Sequence, residues 1–260
     1  TSGNDEMQAG ATGATFKGFG GNDTLTGGAG NDTLSGGTGN DSLSGGGGVN
    51  TVSFADATSG VNVNLTTGTA SGQGSDTLAG FTRVEGSGHA DTITGSASAD
   101  TLTGGAGNDS LSGMAGNDSL DGGGGDDFLR GGDGADTLSG GDGFDTFYYG
   151  ATSEMGDSVI AFHWGFDVFK FENDAVADLG TGTLEAGRFF RVDNYAATPD
   201  MGVAGSVFIY DLATDALYYD SDGSDTTAST DKIILAGDVG FAEDAHSEPT
   251  FESIRIVDLA

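Results

Sequence analysis

The sequence contains no cysteine, which excludes disulfide staples and zinc–thiolate sites. Positive charge is almost as scarce: 8 lysines and arginines stand against 40 aspartates and glutamates in 260 residues, a formal net charge of −32. Such a chain repels nucleic acid and anionic membrane surfaces, resists its own compaction and draws in divalent cations. No apolar run approaches the roughly 18 residues of a membrane span. Catalytic signatures are missing as well. His89, His163 and His246 lie in neither HExxH nor another zinc-ligand spacing, and the sequence has no GxSxG elbow and no thiol nucleophile. The histidines read as structural, and no enzyme is expected in these residues.

What the chain has in excess is glycine. Of the 50 glycines, 39 fall in residues 1–148 and only 11 after them, so two regions meet near Gly150. Both are acidic, with 19 acidic and 3 basic residues up to 148 and 21 and 5 beyond it. The chain opens with Thr1 in the middle of a repeat unit, so further sequence is expected upstream.

Within the first region one apolar residue recurs every nine: Met7, Phe16, Leu25, Leu34, Leu43 and Val52, then Val84, Ile93, Leu102, Leu111, Leu120, Leu129, Leu138 and Phe147. The second series alone, eight matches at 35% apolar composition, has odds of about 1 in 4,000 by chance. In that frame residues 27–35 read GGAGNDTLS, 36–44 GGTGNDSLS, 104–112 GGAGNDSLS and 131–139 GGDGADTLS. A triplet such as Thr33-Leu34-Ser35 suits a short strand whose middle side chain points inward. The six residues before it must turn. Glycines there, as at Gly27, Gly28 and Gly30, permit positive φ and close backbone approach, which exposes carbonyl oxygens to a hard cation, and an aspartate ends each turn.

These units match the pattern GGxGxDxUx, with U a large apolar residue, and residues 1–148 closely resemble the RTX family of calcium-binding repeats. The resemblance implies an all-β fold, a right-handed parallel β-roll or β-solenoid with two nonapeptides per coil. It also implies several calcium ions, each held between turns stacked on one side by backbone carbonyls and an aspartate from each turn. Carried over residue by residue, the ligand aspartates are Asp23, Asp32, Asp41, Asp91, Asp100, Asp109, Asp118, Asp127, Asp136 and Asp145. The turn glycines carried over are Gly27, Gly28 and Gly30; Gly36, Gly37 and Gly39; Gly104, Gly105 and Gly107; Gly122, Gly123 and Gly125; and Gly131, Gly132 and Gly134. Asn50 and Ala14 stand where aspartate is expected, and Ala97 and Ser98 replace turn glycines, so those sites are expected to be weak.

Two arrays, 1–53 and 86–148, flank a degenerate stretch, 54–85. Alternation at Val61, Val63 and Leu65 and a repeat-like GSDTLAG predict that the solenoid continues there without metal. After Tyr149 the period is lost, and residues 149–260 are expected to form a β-rich cap, with Phe162, Trp164, Phe166, Phe169 and Phe171 covering the last coil, because an open solenoid end exposes unpaired edges. SVFIYDLATDALYYDSDG predicts two strands around a turn, with further strands near KIILAG and SIRIVDL. This hairpin and the ending IRIVDLA resemble the C-terminal region of proteins exported by type I secretion machinery. Asp220, Asp222 and Asp225 read equally well as a further calcium site or a solvated turn.

Together these features lead to the expectation of a secreted calcium-binding protein that folds outside the cell and serves a surface layer, matrix filament or adhesin, with self-assembly into a sheet or filament. The alternative is the C-terminal secretion and folding module of a larger extracellular enzyme such as a protease, lipase or polysaccharide-modifying enzyme. An ice-binding face would need a regular threonine ladder, which the variation through Ala29, Thr38, Gly47, Ala106 and Ala115 does not supply.

Overall fold

A computed structural model describes residues 2–160, 162–163 and 166–172, and beyond them the backbones of six strands between 182 and 257. Trp164, Asp222, Asp225 and His246 lie outside the described residues. The chain is all-β, a parallel solenoid of about nine turns.

The nine-residue period is the period of the strands. The first array supplies β1 (Glu6–Gln8), β2 (Thr15–Lys17), β3 (Thr24–Thr26), β4 (Thr33–Ser35), β5 (Ser42–Ser44) and β6 (Thr51–Ser53). Odd strands stack in one sheet and even strands in the other, so each residue meets the one 18 positions on, as in Leu25↔Leu43 and Phe16↔Leu34. Two repeats therefore make one coil, as the resemblance implies. The middle residue of each triplet points between the sheets, and Leu25, Leu34, Leu43 and Val52 are buried. This is the period-two alternation of a strand, cut to three residues by the glycine turns.

Residues 54–85 depart from simple coils. They form β7 (Asn62–Asn64), β8 (Thr69–Ser71), β9 (Ser75–Ala79) and β10 (Arg83–Glu85). β9 continues the odd sheet beside β5, β7 adjoins the next array, and β8 runs antiparallel between them. The stretch turns back on itself rather than coiling, with β9 and β7 in the same sheet as β5 and the strand Thr92–Thr94. The side chain of Asn64 helps close the β7–β8 turn, its Oδ1 accepting the Thr67 N–H at 2.8 Å. Phe54, Val61, Val63, Ala70, Leu78 and Phe81 give this segment a fuller apolar core than the single residue per repeat of the arrays.

The second array supplies β11 (Thr92–Thr94), β12 (Thr101–Ala106), β13 (Ser110–Ala115), β14 (Ser119–Gly124), β15 (Phe128–Asp133), β16 (Thr137–Asp142) and β17 (Thr146–Tyr149). The stack continues past residue 148, where the sequence placed its boundary. β18 (Ser158–Ile160) pairs in parallel with β16, and β19 (Val168–Glu172) with β17. Aromatic side chains thicken the core at this end: Phe147, Tyr149, Phe162, Phe169 and Phe171 are buried, and the Phe162 and Phe169 rings stack 4.6 Å apart. Phe166 does not join them. It is 56% exposed and packs on the equally exposed Phe144.

Six more strands extend the sheets: β20 (Gly182–Thr183), β21 (Phe189–Val192), β22 (Val207–Asp211), β23 (Ala216–Asp220), β24 (Lys232–Ala236) and β25 (Ile254–Val257). β22 and β23 form the antiparallel hairpin that the sequence predicts, while β24 and β25 lie parallel to β18 and β19.

Candidate calcium turns

Except at Ala14 and Asn50, the turns between strands of the two arrays place one aspartate per nonapeptide on the two long edges of the solenoid. All ten of the aspartates carried over from the repeat pattern are buried, none more than 3% exposed. They are joined by a ladder. Except in Asp100, whose Oδ1 is buried without a partner, Oδ1 of each carboxylate accepts the backbone N–H of a residue one coil earlier, as in Asp5→Asp23 at 2.7 Å, Asp23→Asp41 at 2.8 Å, Asp91→Asp109 at 2.7 Å and Asp118→Asp136 at 2.7 Å. One oxygen of each accepting carboxylate is thereby assigned to the fold.

The second oxygen is left for something else. Oδ2 of Asp23, Asp41, Asp109, Asp118, Asp127, Asp136 and Asp145 is buried without a hydrogen-bond partner. Each lies over the first glycine of its own turn. A Cβ built on Gly104 would sit 2.2 Å from Asp109 Oδ2 and 2.7 Å from the Gly122 carbonyl oxygen of the next coil, and one on Gly122 would meet Asp127 Oδ2 and Gly140 O at 2.2 and 2.6 Å. That space is reserved by glycine and lined by a carboxylate oxygen and a carbonyl oxygen. An uncompensated buried carboxylate is costly, and this all-oxygen donor set is what a hard divalent cation requires. No three carboxylates or histidines converge among the described residues, so backbone carbonyls must complete any ion's shell. The residues therefore fit calcium, which would link adjacent coils and cancel the repulsion between stacked aspartates.

The glycines divide by role. First-position Gly27, Gly36, Gly104, Gly122 and Gly131 keep the carboxylate space clear, whereas Gly37, Gly39, Gly105, Gly107, Gly123, Gly125, Gly132 and Gly134 have positive φ. Gly28 and Gly30, expected to use positive φ, do not. In that turn the Gly28 N–H donates to Asp32 Oδ2 at 2.8 Å.

Burial dominates the acidity of these groups. It pushes Asp127 up to about 7 and Asp118 to about 6, opposed by the ladder N–H bond and reinforced by neighbouring carboxylates. Asp76 and Asp167 rise to about 6 and Asp157 to about 7, again chiefly by burial. In the cation-free fold a raised carboxylate pKa stabilises fully below the unfolded value near 4, and that contribution is lost as pH rises through about 6 to 7. A cation needs the ionised form, so protons compete with it. The calcium midpoint for folding should therefore move to higher calcium when pH falls from about 7.5 to about 5.5. Titrations followed by circular dichroism at both pH values test this, and a midpoint that ignores pH would contradict it.

Sequence reasoning missed several members of the ladder. Asp76, assigned to a metal-free interruption, is buried and accepts the Asp41 N–H at 2.9 Å, which places it in register with the repeat aspartates. Asp157 and Asp167, outside the arrays, accept from Asp136 and Asp145 at 2.9 and 3.0 Å. The available signal was an aspartate two residues before an apolar residue, preserved in Asp76-Thr-Leu78, Asp157-Ser-Val159 and Asp167-Val-Phe169 although the spacing of nine is broken. A second ladder also went unread. The asparagine before the aspartate accepts from the following coil, as Asn22 Oδ1 does from Asn40 N at 2.9 Å and Asn108 Oδ1 from Asp126 N at 3.0 Å. Its signal is the recurring Asn-Asp pair.

Residues 17–52, 85–120 and 112–147 match the RTX calcium-binding nonapeptide repeat (4 copies). Residues 17–52 and 85–147 are thus RTX calcium-binding repeats. Among solved structures the chain is similar to the AlgE6R3 subunit of the Azotobacter vinelandii mannuronan C5-epimerase, at 23% identity over 64% of this chain and 77% of that one, with a TM-score of 0.27. It is also similar to the extracellular lipase LipA of Serratia marcescens, at 15% identity over 99% of this chain and 39% of the lipase, with a TM-score of 0.25. No curated protein matches the chain.

Proposed function

We propose that this protein is a secreted module that folds on binding extracellular calcium and serves as a structural component of a surface layer, matrix filament or adhesin. The observation that supports it is the row of buried, partnerless Oδ2 atoms along both edges of one solenoid. Calcium at these turns joins coil to coil and neutralises much of the −32 charge that otherwise keeps chains apart. The same ions then govern folding and association. Weak sites of about 10⁻⁴ to 10⁻³ M, as in extracellular calcium modules, leave the chain unfolded at cytosolic calcium and ready for export. The described residues are assigned no catalytic role.

Ordered assemblies should form in millimolar calcium and disperse in chelator, as seen by electron microscopy and sedimentation. A strict monomer at high concentration in calcium would refute the assembly role and favour a folding module of a larger extracellular enzyme. Export is assigned to the C-terminal strands. Deleting residues 206–260 should abolish release from a host with type I machinery while calcium binding by the arrays persists, and full export of the shortened chain would refute this.

A further inference from the structure

The aspartate turns fall into two conformations, distinguished by the second residue of each repeat. Where that residue has positive φ, as in Phe19 (73°), Gly37 (93°), Met114 (82°) and Gly123 (104°), the aspartate four positions on leaves Oδ2 without a partner. In four other turns its own N–H closes the turn, whereas Asp157, outside the arrays, keeps Oδ2 without a partner although Ser153 has no positive φ. Gly28 donates to Asp32 Oδ2 at 2.8 Å, Ser87 to Asp91 Oδ2 at 2.5 Å, Ser96 to Asp100 Oδ2 at 2.6 Å and His163 to Asp167 Oδ2 at 2.7 Å. The serines close it twice over, because Ser87 Oγ reaches Asp91 Oδ1 at 2.8 Å and Ser96 Oγ reaches Asp100 Oδ2 at 2.9 Å. In every closed turn the oxygen that elsewhere faces the neighbouring carbonyl is already hydrogen-bonded.

We infer that the second residue of each nonapeptide decides whether its turn takes calcium, and that the turns ending in Asp91 and Asp100 are held shut by serine and bind it weakly or not at all. The inference rests on the calcium reading above. Its physical basis is the serine hydroxyl, which adds a closing hydrogen bond to the cost of positive φ for a residue with a β-carbon, a cost that Phe19 and Met114 bear without such a hydroxyl. Glycine adopts the open conformation freely. Serine resists it and supplies a hydroxyl that rewards closure, in the manner of a local side-chain turn. A cation and an N–H donor compete for one oxygen, so only the open turn presents that oxygen to an ion.

The turn ending in Asn50 isolates the other half of the site. Gly46 has φ 80°, so its backbone is open, but an amide stands in place of the carboxylate. Asn50 Oδ1 accepts the Asp32 N–H at 2.9 Å, and Nδ2 donates to the Gly47 and Gly80 carbonyls, each at 3.0 Å. An N–H₂ group thus bridges carbonyl oxygens in the place a cation takes elsewhere, and the reversed amide would set oxygen against two oxygens. Asn50→Asp should create a site without any change of backbone.

The test is bound calcium per chain, measured on the full chain by equilibrium dialysis against saturating calcium chloride. Asn50→Asp should bind one more ion than the parent and shows that the measurement detects a gained site. Ser96→Gly, which frees Asp100 Oδ2 and permits positive φ, should likewise gain one. Met114→Ser should lose one by closing the turn of Asp118, and since Met114 already carries a β-carbon the exchange adds no crowding at that position. Unchanged stoichiometry in both Ser96→Gly and Met114→Ser, beside a gain in Asn50→Asp, would overturn the rule. A parent chain that binds no calcium would instead overturn the reading on which the rule rests.

Discussion

In chelator the far-UV circular dichroism of this chain should be dominated by disorder, and millimolar calcium should bring a large gain of β-structure. The arrays bury one apolar side chain per nonapeptide, little to set against the cost of ordering nine residues rich in glycine. The carboxylates of consecutive coils also face one another along both edges. Burial, the largest cause, raises the pKa of Asp109, Asp118, Asp127 and Asp136 and so works against the ionised, cation-free roll. Calcium reverses that term and makes its own binding energy part of the folding energy. A spectrum unchanged between chelator and calcium would show that the roll stands without the ion.

The second large effect separates the two oxygens of one carboxylate. Asp109→Asn keeps Oδ1, which accepts the Asp91 N–H, but replaces the partnerless Oδ2 with a neutral donor. The ladder can persist while the cation loses a charged ligand. The calcium midpoint for folding should rise about tenfold, equivalent to about 1.4 kcal/mol. Asp56→Asn is the matched control. Its carboxylate is 70% exposed and paired with Lys17 on the surface, where ion pairs contribute little, so its midpoint should stay near that of the parent. Equal shifts in the two variants would mean that net charge governs folding and that the assigned turns do not. Asp76→Ala, which the sequence alone ranks well below a substitution at Asp109, should also weaken folding, because it removes the acceptor for Asp41 N–H.

The solenoid was legible because its period is strict. Leu102, Leu111 and Leu120 nine apart dictate alternate strands on two sheets, and the register Leu102↔Leu120 follows. The buried aspartates of the turns were legible for the same reason. Where the period breaks, the reading failed in instructive ways. Asp76 reaches the ladder only because β8 reverses and returns β9 to the odd sheet, a long-range pairing that no local pattern encodes. Asp157 and Asp167 follow connections longer than the repeat, so a frame of nine steps over them. The difference between open and closed turns lies in one backbone angle. Ser96, not Ala97, stands at the second glycine position of its repeat, as Ser87 does in the one before, and their hydrogen bonds to Asp91 and Asp100 became apparent only from the structure.

The central claim is that cations lie between the turn carboxylates and the carbonyls of the neighbouring coil, and anomalous diffraction from crystals grown in calcium tests it most directly. The account predicts anomalous peaks spaced along both edges, beside Oδ2 of Asp109 and Asp127 on one and of Asp118 and Asp136 on the other. Crystals of the folded chain with no peak at these turns would contradict it.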